Sequence, residues 1–150
     1  MNRTIVIGVG NPMRGDDAAG RHVARLLAES PPDGVTIHES TGTPDSLMDL
    51  WQDAAAVVLV DASQSGNPPG AIERFDVSIE PLPTSCLHCS THAFGVAEAV
   101  ELARSLGSLP PRVIVFGIEG ISFEHGEKLS AEIEEAVHRA ADLVEAELRK

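Results

Sequence analysis

Cysteine is nearly absent from this sequence. The chain has only Cys86 and Cys89, too close together to staple a fold, so a core must form by packing and a reducing cytoplasm is the expected setting. Basic residues are also scarce: 11 Lys and Arg stand against 23 Asp and Glu, a net charge of −12. No basic cluster interrupts that balance, which argues against nucleic acid and anionic membrane as partners. No stretch approaches the ~20 apolar residues of a membrane span. The N-terminus offers only Arg3 before a short apolar run ending in Gly8-Val9-Gly10, which reads as a strand and not a signal peptide.

Several chemical motifs are missing too. After Gly8-Val9-Gly10 the dinucleotide fingerprint needs a glycine at 13, where Met13 stands. Gly10-Asn-Pro-Met-Arg-Gly15 is followed by Asp16 and not by the lysine of a phosphate-binding loop. Two carboxylates at the mouth of this loop would repel a phosphate, so a cation is the better guest. There is no G-x-S-x-G serine elbow and no H-E-x-x-H helix.

What is present is a regular alternation of apolar runs and amphipathic spacing over 150 residues, expected to form one domain, 1–150. Ile5-Val6-Ile7 suits a central strand (about 4–9), followed by a helix over 17–29 that ends before Pro31-Pro32. Val35–His38 is a second strand and Asp45–Gln52 a short helix. Ala55–Val60 is a third strand, ending on Asp61, and 71–77 an edge strand. A helix from Thr91 stops at Gly107, Val113–Phe116 is a further core strand, and a last helix runs from Ser130 nearly to Lys150. The fold class expected is α/β: a three-layer α/β/α sandwich. Its open, mostly parallel twisted sheet has about five strands, with helices on both faces.

In such sheets ligands bind outside the carboxyl ends of the strands. Asn11, Asp16 and Asp17 follow the first strand, Glu39 the second, Asp61 ends the third, and Glu119 follows the core strand at 113–116. His92 opens the helix after the 81–90 loop and can face the same crevice. Each acid alone has a plain structural explanation, since helix starts and loop turns welcome carboxylates. Gathered at one edge they repel one another unless a cation comes between them. Aspartates with an imidazole and open positions suit a borderline metal such as zinc or nickel.

The segments Gly8-Val-Gly-Asn-Pro-Met-Arg-Gly-Asp-Asp-Ala-Ala-Gly20, Val60-Asp61-Ala62, Ser90-Thr-His92-Ala-Phe-Gly95 and Gly117-Ile-Glu119-Gly120 follow one another along the whole chain. In that order they resemble the hydrogenase maturation endopeptidases, which process the large subunit of nickel–iron hydrogenases. The resemblance implies that Asp17, Asp61 and His92 are the metal-contacting and catalytic trio. Asp17 stands where the family often has Glu. The loop Glu39-Ser-Thr41-Gly42-Thr43 keeps only the acid and general character of a family Asp-Gly-Gly-Thr loop, and implies substrate recognition by Glu39, Thr41, Gly42 and Thr43. The implied function is removal of a C-terminal extension from the large-subunit precursor after nickel insertion. The substrate's own nickel is then the recognition signal, and no tightly bound organic cofactor is implied. Asp17, Asp61 and Asp16 all remain open as the base for an attacking water.

Cys86-Leu-His88-Cys89-Ser-Thr-His92 has metal-ligand spacing. Loop thiols without function, an auxiliary metal or redox site, and mimicry of a Cys-x-x-Cys-x-x-His substrate motif all stay open. His22, His38, His125 and His138 read as solvated or satisfied side chains, and Trp51 and Phe116 as core. Two rival functions stand beside the protease: a non-catalytic nickel-sensing chaperone for the precursor, and a cofactor-binding α/β protein, disfavoured by the broken glycine fingerprint.

Overall fold

The computed structural model describes residues 3–83 and 91–150, the side chains of the second stretch from Gly95 onward. Cys86, His88 and Cys89, and the side chain of His92, therefore lie outside the described residues. Among the described residues there are five strands: β1 (Thr4–Val9), β2 (Val35–Ser40), β3 (Ala56–Ser63), β4 (Ile72–Asp76) and β5 (Arg112–Glu119). They are joined by α1 (Ala19–Glu29), α2 (Pro44–Trp51), α3 (Thr91–Leu106) and α4 (Ala131–Leu148), with a single 3-10 turn, Gly15–Ala18, ahead of α1.

The sheet order is β2-β1-β3-β5-β4. All pairs are parallel except β4, which runs antiparallel along β5. The sequence explains who sits where. β1, β3 and β5 read as near-continuous apolar runs because each is covered on both faces, whereas β4 is only half-buried along most of its length, as an edge strand should be.

Alternation along the strands divides the core in two. Ile5, Ile7, Val57, Leu59, Val113 and Val115 pack against Leu47 and Trp51 of α2 and Val96, Val100 and Ala103 of α3. Val6, Val58, Val60, Ile114 and Phe116 pack against Val23 and Leu27 of α1 and Ile133, Val137 and Val144 of α4. Each such aliphatic side chain, fully buried, is worth about 1.5–3 kcal/mol. Two helices per face make the α/β/α sandwich that the alternating pattern leads one to expect.

One glycine sets how closely α1 approaches the sheet. A Cβ at Gly20 would collide with the Val60 carbonyl oxygen and lie 2.6 Å from that of Val9. The first turn of α1 thus rests directly on the carboxyl ends of β1 and β3, which only glycine permits.

Several boundaries differ from the sequence reading. The helix expected from residue 17 is a 3-10 turn up to Ala18, because Gly15 and Asp16 donate their amides to Glu127 and Ser122 in the loop after β5 rather than into a helix. β3 and β5 also run on to Ser63 and Glu119, since their pairing continues through Asp61↔Gly117 to Ser63↔Glu119. Asp61 therefore lies within β3 rather than at its end and Glu119 closes β5; β2 likewise runs to Ser40, so Glu39 stands on that strand and not in the loop beyond it.

Candidate active site

The chain leaves β1 for one edge of the sheet, forms β2, and returns past β1 to form β3 on its other side. That reversal opens a crevice at the carboxyl ends of β1 and β3, the place where open α/β sheets bind ligands. α1 lies on one face and α3 on the other. Asp17 belongs to the 3-10 turn leading out of β1, and that turn packs against β3. Asp61 lies on β3 itself, in step with Leu59 and Val57, so its side chain is on the α3 face. Both are buried, Asp17 to 1% and Asp61 to 2% exposure.

The first turn of α3, which carries His92, is fixed from outside. A Cβ on Gly95 would collide with the carbonyl oxygen of Gly42, so the helix start lies against the loop leaving β2. That loop is tied to β1 in turn, through the Gly10 amide donating to the Ser40 carbonyl at 3.1 Å. The Gly42 amide donates to Ser40 Oγ at 3.0 Å, closing a small turn at a positive φ of 91°. Backbone geometry thus brings the exit of β1, the end of β3, the 41–43 loop and the start of α3 to one edge.

The other carboxylates at that edge are engaged in structural work. Asp16, fully buried, accepts from the amides of Ile121 (2.7 Å) and Ser122 (3.1 Å) and from both the amide (2.7 Å) and hydroxyl (2.9 Å) of Ser130. Glu119 holds the loop after β3, accepting from the Ser65 hydroxyl at 2.7 Å and the Ser65 and Gly66 amides at 3.1–3.3 Å. Glu39 is ion-paired to Arg21 at 2.7 Å and Arg25 at 3.1 Å. Burial alone pushes the Glu39 carboxyl upward, but the hydrogen bonds from Arg25 and Arg21 outweigh it and hold the group below its ordinary range. Arg21 also donates to the Gly10 carbonyl at 3.1 Å, bracing the β1 exit against the end of β2. Asp61 differs, in that its Oδ1 accepts the neighbouring Ala62 amide at 2.8 Å.

Among the described residues no three His, Cys, Asp or Glu side chains group so as to hold a metal ion. The donors described at the crevice are two aspartates, a hard and incomplete set that needs further ligands. Sequence reasoning did not anticipate Arg21 or the engagement of Asp16 and Glu119. Arg21 and Arg25, spaced i,i+4 on a helix beside an acidic strand end, were the available signal for the first. A cavity of about 550 Å³ between the C-terminal ends of α2 and α3, lined by Trp51, Gln52 and Leu109, lies at the opposite edge of the sheet. It has no part in this arrangement.

Known proteins share this pattern. Residues 21–147 match the sequence model of the HycI family, described as hydrogenase maturation protease. The hydrogenase 2 maturation protease of Escherichia coli is 27% identical over 152 residues, 99% of this chain and 92% of that protein. The hydrogenase expression/formation protein HupD of Bradyrhizobium diazoefficiens is 25% identical over 145 residues, 95% of this chain and 76% of that protein. The chain spans 59% of the length of HupD from Rhodobacter capsulatus. Among solved structures, the maturating endopeptidase HybD of E. coli superposes with a TM-score of 0.83 at 26% identity, covering 98% of this chain and 92% of that one. HycI of Thermococcus kodakarensis gives 0.74 at 29% identity, covering 99% and 94%. The family match and these likenesses define an endopeptidase, a hydrolase of the α/β/α kind. The chain belongs to the hydrogenase maturation protease family.

Proposed function

We propose that the protein cuts a C-terminal extension from the large-subunit precursor of a nickel–iron hydrogenase once nickel has been inserted, and that it recognises that nickel directly. The observation carrying this reading is the pair of buried carboxylates, Asp17 and Asp61, at the β1–β3 reversal, and the resemblance adds His92 to them. Two carboxylates and an imidazole at an open crevice hold a metal weakly until a partner supplies the remaining ligands. The difference in affinity between loaded and empty precursor then acts as the checkpoint. Nickel on this reading is part of the substrate, and the chain needs no organic cofactor.

Water adds to the scissile carbonyl, its proton passing to Asp17 or Asp61 and from there to the leaving amine as the peptide bond breaks. Asp16 is the weaker choice of base, since its four donors already occupy both carboxylate oxygens. Thr41, Gly42 and Thr43 contact the precursor beside the crevice. Glu39, drawn onto Arg21 and Arg25, contributes by holding that loop in place. No helix among the described residues is long and apolar enough to cross a membrane, and we place the reaction in the cytoplasm.

The test is incubation of the purified protein with nickel-loaded and with nickel-free precursor, read by intact mass. Loss of a C-terminal peptide from the loaded form alone is expected. Tight binding of loaded precursor with no mass loss overturns the protease in favour of a nickel-sensing chaperone. Equal cleavage of both forms removes the nickel checkpoint.

A further inference from the structure

Asp16 and Asp17 are neighbours of the same type at one loop, yet the structure gives them different surroundings. Asp17 sits in a four-residue 3-10 turn whose leading residue, Arg14, supplies no side-chain cap. Within the turn its support is modest: the Asp17 amide donates to the Arg14 carbonyl at 3.1 Å, and the Arg14 amide to that of Asn11 at 3.2 Å. Such turns have poorer hydrogen-bond geometry than an α-helix.

Further support reaches the turn from the far end of the chain. The Asp16 amide donates to the Ser122 carbonyl at 2.8 Å, the Gly15 amide to Glu127 at 3.1 Å, and the Gly126 amide back to the Met13 carbonyl at 2.7 Å. Arg14 Nε donates to the Phe123 carbonyl at 3.2 Å. At the centre of this lacing the Asp16 carboxylate joins the exit of β5, through Ile121 and Ser122, to the residue that starts α4, Ser130. The Ser130 hydroxyl is given to Asp16 and makes no capping bond to its own helix. A charged acceptor meeting four donors is far stronger and more directional than the turn's own bonds.

We infer that Asp16 is a positioning residue for Asp17: by clamping the 3-10 turn to the β5 exit and the start of α4, it sets where the Asp17 carboxylate stands in the crevice. This rests on the proposed function only insofar as Asp17 touches the substrate. Asp16→Asn is the informative change, because it keeps size while turning an NH2 group toward donors that need an acceptor. Displacement of a reacting group by about 1 Å lowers rate by up to ~10²-fold.

The experiment has two arms. In the first, Asp16→Asn and Ser130→Ala are assayed on nickel-loaded precursor well below their melting temperatures. The expected result is kcat reduced about tenfold or more for Asp16→Asn with KM within about twofold, and a smaller kcat loss for Ser130→Ala. A variant with wild-type kcat and only a lowered melting temperature overturns the inference. The second arm needs no substrate: amide hydrogen exchange at Asp17 rises about tenfold or more in Asp16→Asn relative to the core amides of Val58 and Ile114. A rise shared equally with the core means a merely structural role, and overturns it as well. If the wild-type protein fails to cleave loaded precursor, the proposed function falls while the exchange arm still decides the place of Asp16.

Discussion

At the scale of single residues, the proposed function divides the acids at the crevice into those expected to act on a substrate and those that hold the protein together. Asp17→Asn and Asp61→Asn are expected to lower precursor processing by about 10²-fold or more in protein that still melts cooperatively. Asp61→Asn also keeps a side-chain oxygen for the Ala62 N–H, now 2.8 Å from Asp61 Oδ1. His92→Ala is expected to abolish processing to a similar degree. Intact mass of the precursor reads the activity and thermal melts read the fold. Gly20 makes the opposite prediction. Gly20→Ala drives a methyl into the Val60 carbonyl and is expected to destabilise by about 3 kcal/mol or more in chemical denaturation, because backbone at a sheet centre cannot move aside.

At the scale of elements, Gly95 offers the sharper test of how the site is built. Its neighbour across the gap is the Gly42 carbonyl of the loop leaving β2. Gly95→Ala pushes the first turn of α3 off that loop, and processing is expected to fall about tenfold with a loss of stability of only ~1–3 kcal/mol. Steady-state assay beside urea denaturation separates the two. Elements were also what the sequence told best. The apolar runs of β1, β3 and β5 and the spacing of α1 to α4 were legible because burial on both faces, or on one helical stripe, leaves a periodic mark. The 3-10 turn was not legible, since Gly15 and Asp16 obey partners at Glu127 and Ser122, far along the chain, and local propensity is silent about them. For the same reason Asp16 and Glu119 read as candidate ligands from their place after strands, though their oxygens are taken by main-chain amides. The gathering of Asp17 and Asp61 at one edge could be read, because topology alone dictates it.

At the scale of the whole molecule, the sheet's two ends have opposite tasks. The carboxyl end carries the crevice, and the amino end is closed by a charge cluster. There Glu147, buried near the end of α4, meets Arg74 of β4 at 2.7 Å and Arg112 at the start of β5. A carboxylate in the last turn of a helix faces an unfavourable dipole, and the two guanidinium groups offset it. The hydrogen bond from Arg74 is the main cause holding the Glu147 carboxyl below its ordinary range, against burial, which raises it. A lowered folded-state pKa gives stability that is fully present above the unfolded value, near 4.5, and is lost as pH falls through the folded one. Glu147→Gln is therefore expected to be less stable than wild type at neutral pH by about 1–3 kcal/mol, a figure reduced because both arginines are partly exposed. The gap should close as pH drops below that of an ordinary glutamate. Denaturant titrations of both proteins from about pH 7 to about pH 3 check it.

The reversal of the chain between β1 and β3 has a consequence for the cell that makes this enzyme. Asp17 comes from the turn after β1, Asp61 from β3 and His92 from α3, so they reach one edge only when β1 has paired with β3 and α3 has docked on the sheet. On the proposed function, an unfolded copy holds these residues apart and cannot cut. The capacity to cut then arises with completion of the fold itself.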